Sequence, residues 1–181
     1  MKKCITGISL LICLLISATT VQAQSFPKMD ASPMDLALAR TDRNATPTAR
    51  VIYSRPSKKG RTIFGDLVPY GEVWRTGANE ATELTLYTAL KLGNTKLEPG
   101  TYTLYTIPGE TDWTVIINSD TNVWGAYSYK KEKDIARIIV SAKEAAATTE
   151  TLSMVFRPDS SGPTLMIGWD NVYIEIPFKN I

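Results

Sequence analysis

The chain has 181 residues, of which 20 are Lys or Arg, 18 are Asp or Glu and none is His. This length suits one ordinary domain, and a composition of 44% hydrophobic and 21% charged residues is typical of a globular protein rather than a disordered or collagen-like one. A chain without His cannot build a Ser-His-Asp triad, a Cys-His pair or a His-ligated zinc site, so these classes of enzyme are excluded.

Residues 1–23 have the pattern of a secretory signal peptide. Lys2 and Lys3 supply the positive start, an apolar run follows from Ile5 to about Ile16, and small residues lead to a cleavage point after Ala23. The apolar run is shorter than the roughly 20 residues that a transmembrane helix needs. We therefore predict an exported protein, periplasmic or extracellular, with no membrane span after cleavage.

Cleavage after Ala23 would remove both cysteines, Cys4 and Cys13, together with two positive charges. The 18 basic residues that remain balance the 18 acidic ones. Because a nucleic-acid partner requires an excess of Lys and Arg, we predict no nucleic-acid partner. The sequence likewise predicts no cofactor and no metal site, since the cluster Asn118, Ser119 and Asp120 lacks the spacing of a calcium loop and is typical of a turn.

Residues 24–48 are predicted to be a lead-in to a single β domain at 49–181. Ser32 and Pro33 fit a helix N-cap and first helical position, and Asp35 fits the first turn. The following apolar residues predict a short N-terminal helix of about two turns. Such a helix would be stable only when docked on the domain.

From Ala49 onward the apolar residues alternate with a period of two, which predicts strands with one face toward a core. The alternating sets are Leu84, Leu86, Leu90 and Leu92; Trp113, Val115 and Ile117; Leu152, Met154 and Phe156; Leu165, Ile167 and Trp169; and Val172, Ile174, Ile176 and Phe178. Residues 50–54, 101–107 and 134–142 predict further strands, the last one buried on both faces. Residues 142–147 fit either a second short helix or a loop.

The connections between these strands are short and rich in turn residues, including a predicted tight hairpin at Asp170 and Asn171. About eight strands without long helices predict a mainly β fold, an antiparallel β-sandwich or a flattened barrel.

The segment between Ser54 and Thr82 does not alternate. A loop of this length inside a compact domain is usually functional or disordered. Its apolar side chains, among them Ile63, Phe64 and Trp74, argue against disorder because they would expose too much apolar surface to water. We predict a long ordered loop that packs on the sheets.

This loop and several later blocks resemble an exported bacterial family, DUF2911. The blocks in the loop are Tyr53–Pro56, Lys59–Arg61, Ile63–Gly65, Leu67–Gly71 and Trp74–Thr82, and the later ones are Gly100–Tyr102, Ile107–Gly109, Trp113 and Trp124–Tyr127. The resemblance extends from about Ser32 to the last strand. It implies a single, mostly β, secreted domain of unknown function, and it supplies no reaction, cofactor or catalytic residue.

The loop also concentrates the residues that could form a binding site. Arginine side chains are planar forks suited to carboxylates, phosphates or aromatic faces, and beside aromatic rings they would form a pocket for a sugar or a small anion. The candidate ligand-binding residues are Arg55, Arg61, Tyr70, Trp74, Arg75, Asn79, Glu80, Trp124 and Tyr127. The alternative is structural: Arg75 and Glu80 would form a buried ion pair, and the tryptophans would fill the core.

Three functions are compatible with these residues. We favour a non-catalytic binding domain for a small polar ligand, a glycan or an envelope protein, and assign no catalytic residue. A carboxylate-based hydrolase centred on Glu80 is the second possibility, with Glu83, Asp66 or Glu72 as the second carboxylate. The third is a purely structural envelope component, which predicts no cavity beside Trp74 and Arg75.

Overall fold

The computed structural model describes residues 24–181, so the predicted signal peptide at residues 1–23 lies outside the described residues. The strands are β1 (Met34–Ala39), β2 (Ala49–Ser54), β3 (Glu83–Leu86), β4 (Leu90–Leu92), β5 (Thr95–Leu97), β6 (Gly100–Ile107), β7 (Asp112–Asn118), β8 (Asp134–Ser141), β9 (Lys143–Arg157) and β10 (Thr164–Asn180). Within this part of the chain the helical structure is one 3-10 turn at Lys131–Lys133. No helix in residues 24–181 has the length and apolarity needed to cross a membrane.

The ten strands form two sheets in which every neighbouring pair is antiparallel. One sheet has the order β1-β2-β3-β6-β7-β8, and the other has the order β5-β4-β10-β9. The prediction of a mainly β, antiparallel fold is confirmed. The alternative of a flattened barrel is wrong, because the two sheets do not close on each other.

A single large core cluster combines residues from both sheets. Val51, Leu84 and Val115 of the six-stranded sheet belong to the same buried cluster as Leu165 and Ile174 of the four-stranded sheet. These residues come from the alternating positions of the sequence, since a strand sends every second side chain to one face. Burying that face against a second layer supplies the main driving force for the fold.

The predicted N-terminal helix is wrong, because residues 34–39 form strand β1. This strand pairs with β2 over its whole length, from Met34 opposite Ser54 to Ala39 opposite Ala49. A helix of two turns is unstable alone, whereas the exposed edge of β2 offers a full ladder of backbone hydrogen bonds. The lead-in therefore contributes an edge strand to the larger sheet. Residues 143–147 likewise begin a strand, β9, so neither the short helix nor the loop expected there is present.

The predicted hairpin at Asp170 and Asn171 is also wrong. Strand β10 runs through this point, and its pairing with β9 shifts register on both sides of Asp170. Asp170 has a φ of 57°, and its carboxylate forms a salt bridge with Lys58. The turn-forming residues thus make a β-bulge, which bends a strand without reversing the chain.

Strand β8 lies at the edge of the six-stranded sheet rather than being buried on both faces. Ile135 is 44% exposed and Ile139 is 73% exposed. An edge strand of a sheet that is covered on one side leaves its outer face to solvent, and the isoleucines on that face remain there.

Candidate functional site

The loop between β2 and β3 rests on an aromatic cluster. The ring of Trp74 stacks on Trp169 with centroids 6.1 Å apart and planes at 18°, and it meets Trp113 edge-on at 6.2 Å. Phe64 packs edge-on against Trp113 at 4.8 Å. The indole N–H of Trp74 donates to the carbonyl oxygen of Gly77 at 3.1 Å. Trp74 is therefore part of the core and gives the loop a fixed base.

The turn after Trp74 is held in a strained conformation. Thr76 is fully buried with a φ of 55°, a region that a β-branched residue rarely adopts. Its hydroxyl lies 3.0 Å from the hydroxyl of Thr106, and its carbonyl oxygen accepts a hydrogen bond from the Thr82 hydroxyl at 2.8 Å. Strain of this kind costs about 1–3 kcal/mol and concentrates at functional sites. The backbone N–H of Thr82 donates to the carbonyl oxygen of Arg75, the residue before Thr76, at 3.0 Å and so holds its backbone in the turn.

Arg55, a predicted ligand-binding residue, uses its side chain for hydrogen bonds within the protein. Its guanidinium donates to the carboxylate of Asp35 at 2.9 Å, to the carbonyl oxygen of Leu152 at 3.0 Å and to the hydroxyls of Thr151 and Ser153 at 3.2 and 2.7 Å. Arg55 therefore joins β1 and β9 to the start of the loop.

Arg61 is exposed and partly committed. Its Nε donates to the carbonyl oxygen of Lys58 at 3.0 Å, and one terminal nitrogen donates to that of Ser57 at 2.6 Å. These bonds stay within the loop, so Arg61 keeps further donors available.

The side chain of Arg75 has no partner among the described residues. Among residues 24–181, its side chain takes part in no salt bridge and no hydrogen bond, and its Nε is buried with no acceptor. The buried ion pair between Arg75 and Glu80 considered from the sequence is therefore wrong. Arg50, in strand β2, has a buried and unpartnered Nε as well, but it lines none of the three cavities described next.

Three neighbouring cavities lie along one side of the loop, and consecutive cavities share lining residues. The first, of about 250 Å³, is lined by Ser32, Pro56, Arg61, Leu67, Val68, Trp74, Arg75, Gly77, Ala78 and Trp169. The second, of about 270 Å³, is lined by Asp30, Ser32, Met34, Ser54, Asn79, Glu80 and Trp124. The third, of about 220 Å³, is lined by Met34, Ile52, Tyr53, Ser54, Glu80, Ala81, Glu83, Asn122 and Val123. We call the three together the loop groove.

The second cavity brings polar groups from distant segments together. The amide nitrogen of Asn79 donates to the carboxylate of Asp30 at 3.0 Å, and the same oxygen accepts the backbone N–H of Ser32 at 2.7 Å. These two hydrogen bonds, the backbone one first, hold the pKa of Asp30 below its ordinary value. Trp124 forms one wall and is 60% exposed, so its indole face is open to a ligand.

Two carboxylates share the third cavity. Glu80 is exposed and lies in the loop, while Glu83 begins strand β3 and accepts the backbone N–H of Asn122 at 2.8 Å. Two residues three apart within one strand place their side chains on opposite faces of the sheet. Glu80 lies before strand β3, so this geometry does not apply to Glu80 and Glu83. In the part of the chain that the structure describes, no group of three or more acidic, His or Cys side chains is placed to hold a metal ion.

The structure thus brings six of the nine predicted site residues to the loop groove: Arg61, Trp74, Arg75, Asn79, Glu80 and Trp124. Arg55, Tyr70 and Tyr127 do not line it. Tyr70 packs over Gly65, where a Cβ would lie 2.9 Å from its ring, and Tyr127 is 87% exposed.

Sequence reasoning missed Asp30, Ser32 and Trp169. The spacing of Asp30 and Ser32 fits an Asx-turn, which is the one local signal that points to them. Trp169 was predicted only as a core residue of a strand.

Comparisons with known proteins add a family and no function. The model of the family described as "Protein of unknown function (DUF2911)" matches residues 32–178, which include the whole loop and nearly all of the groove. Searches of curated proteins and of solved structures found no match.

Proposed function

Because the chain belongs to the DUF2911 family, whose description assigns no activity, we propose its function from the loop groove: an exported, non-catalytic domain that binds a small polar ligand. The observation that carries this proposal is the uncommitted side chain of Arg75. The Nε of Arg75 is buried, whereas its terminal nitrogens make no hydrogen bond within residues 24–181 and can donate to an acceptor on a ligand in the cavity that Arg75 lines.

The surroundings of Arg75 support a binding role. Ligand sites combine apolar walls with a few placed polar groups, and two adjoining cavities of the groove together reach the usual range of about 300–1,000 Å³. Trp74 and Trp169 supply the apolar floor of the first cavity, and Asn79 and Glu80 supply polar groups of the second. The backbone of Arg75 is held by the N–H of Thr82, which donates to its carbonyl oxygen at 3.0 Å, and this limits the backbone entropy lost on binding.

The cavity also counts against a purely structural role. That role leads us to expect no concavity beside Trp74 and Arg75, yet both residues line a cavity of about 250 Å³. Export is part of the proposal and derives from the predicted signal peptide at residues 1–23.

A carboxylate-based hydrolase is the second candidate, favoured by one observation: Glu80 and Glu83 line the same cavity. Paired carboxylates across a cleft are the acid/base arrangement of glycoside hydrolysis. If this candidate is right, Glu80→Gln keeps the thermal stability of the wild type and abolishes turnover of a substrate that the groove binds.

The test is a titration of the full chain, purified after export, monitored by tryptophan fluorescence. The panel contains neutral and acidic sugars, nucleotides and short peptides. We expect a saturable change with at least one class, since Trp124 forms an exposed wall of the groove. Arg75→Ala should weaken that binding about tenfold or more, as expected for loss of a charge-assisted hydrogen bond.

Arg50→Ala is the matched control, because Arg50 shares the buried, unpartnered Nε but lies outside the groove. Binding by this variant should equal that of the wild type. The proposal is rejected if no class in the panel gives a saturable signal.

A further inference from the structure

Charge is distributed unevenly along the loop groove. The first cavity is lined by two cations, Arg61 and Arg75, and by no Asp or Glu. The second is lined by two carboxylates, Asp30 and Glu80, and by no Lys or Arg. A ligand that spans both cavities therefore meets a positive end and a negative end.

The positive end suits a carboxylate. The guanidinium of arginine is a rigid fork that matches the two oxygens of a carboxylate, and the terminal nitrogens of Arg75 make no hydrogen bond within residues 24–181. Trp74 and Trp169 lie in the wall beside it and are almost completely buried. Their apolar surface keeps water from one side of the cation, which strengthens its attraction for an anion.

The negative end suits neutral hydroxyl groups. The carboxylates of Asp30 and Glu80 accept hydrogen bonds from hydroxyls and repel anions, and the side chains of Ser32, Ser54 and Asn79 can donate as well as accept. Sugar hydroxyls are donors and acceptors of this kind, spaced around a ring.

Trp124 adds a flat apolar wall to the same cavity. Trp124 is 60% exposed, so a large part of its surface is open to solvent at the cavity. An indole face is large, rigid and apolar, and it complements the C–H face of a pyranose ring. Hydroxyl-binding groups beside a free aromatic face favour a sugar over a peptide or a simple carboxylic acid.

We propose that the ligand is an acidic sugar with a single carboxylate, bound with the carboxylate at Arg75 and the ring hydroxyls toward Asn79 and Glu80 beside Trp124. This inference rests on the proposed binding function and specifies its ligand. A nucleoside diphosphate or another polyanion fits less well, because its additional negative charges would lie against Asp30 and Glu80.

The experiment compares four probes on the full chain purified after export: methyl glucuronoside, its uncharged methyl ester, methyl glucoside and glucose 6-phosphate. Affinities are measured by calorimetry and by the NMR shift of the Trp124 indole. We expect the acid to bind the wild type at least about tenfold more tightly than the ester, and more tightly than the phosphate. Arg75→Lys should remove most of this preference, since a point charge lacks the fork, and Arg50→Lys should retain it.

Three results overturn the acidic-sugar inference: equal affinity for acid and ester, tighter binding of glucose 6-phosphate, or an unchanged preference in Arg75→Lys. The comparison of acid with ester uses only the wild type, so it holds even if the variant does not fold. If none of the four probes binds but a nucleotide or peptide does, the inference fails and the proposed binding function stands. If nothing binds, both fail.

Discussion

An arginine lies near each end of the loop between β2 and β3, and the two differ in whether the protein supplies hydrogen-bond acceptors for the side chain. At its start, Arg55 donates four hydrogen bonds, which join β1 and β9 to the loop. Near its end, Arg75 makes none with the described residues and lines a cavity. The type of residue is identical, so the difference comes from what each neighbourhood offers as acceptors.

The start of the loop runs beside polar parts of two strands. Strand β9 presents the Leu152 carbonyl oxygen and two hydroxyls, and β1 presents the carboxylate of Asp35. The end of the loop lies on indole rings instead, and the carboxylates of Glu80 and Glu83 line the neighbouring cavities. An arginine beside acceptors stabilises the fold, and an arginine beside aromatic rings remains available to a ligand.

The largest effect that this comparison predicts is on stability at Arg55. Arg55→Ala should lower the free energy of unfolding by about 2–3 kcal/mol, because it removes an ion pair and leaves several partly buried acceptors unpaired. Urea denaturation followed by circular dichroism measures this loss. Arg61→Ala is the control and should lose less than about 1 kcal/mol, since Arg61 is exposed and bonds only within its own loop. A loss at Arg55 no larger than at Arg61 would break the comparison.

A smaller effect is expected at Arg75. Arg75→Ala should change the free energy of unfolding of the ligand-free protein by less than about 1 kcal/mol in either direction, because no hydrogen bond or ion pair within the described chain is lost. The same denaturation experiment applies. A loss equal to that of Arg55→Ala would show that Arg75 is a structural residue and would remove the main support for the binding site.

The smallest effect concerns Asp30, whose carboxylate ties the lead-in to Asn79 in the groove. Folding holds the pKa of Asp30 below its ordinary value of 3.8. The ionised carboxylate therefore accepts the Asn79 hydrogen bond fully above pH 3.8, and this stabilisation is lost as the pH falls through the lowered pKa of the folded protein. The backbone N–H of Ser32 donates a hydrogen bond to the Asp30 carboxylate. Hydrogen exchange at this amide should therefore become faster, relative to neighbouring amides, as the pH falls below about 3.8. Asp30→Asn is the control and should remove this pH dependence. The prediction is contradicted if the protection of Ser32 varies with pH in the same way in the wild type and in Asp30→Asn.

The sequence predicted most of the strands because their signal is local. Sets such as Trp113, Val115 and Ile117 alternate, and alternation is the direct consequence of strand geometry. Three predictions were wrong at positions where residues distant in the sequence decide the local structure. Residues 34–39 joined a sheet edge, Asp170 formed a bulge opposite β9, and β8 was placed at an edge.

The candidate site was predictable as a segment but not as a set of contacts. Apolar and cationic residues concentrated in one long loop pointed to the groove, and Arg61, Trp74, Arg75, Asn79, Glu80 and Trp124 do line it. Arg55 was indistinguishable from Arg75 in sequence, because three of its four acceptors lie in residues 151–153, almost a hundred positions away, and the fourth is Asp35. Asp30 lies in the groove because the lead-in packs beside Asn79, a tertiary contact that the hydrophobic periodicity of the sequence does not predict.

The amino-acid sequence by itself thus determined the chemistry available and the regular elements: an antiparallel β protein, without His, with arginines and aromatic rings gathered in one irregular stretch. Only the tertiary structure decided which of those arginines has a partner. The reason is physical: periodicity depends on neighbours along the chain, whereas the satisfaction of a charged group depends on whichever acceptors other strands bring to it.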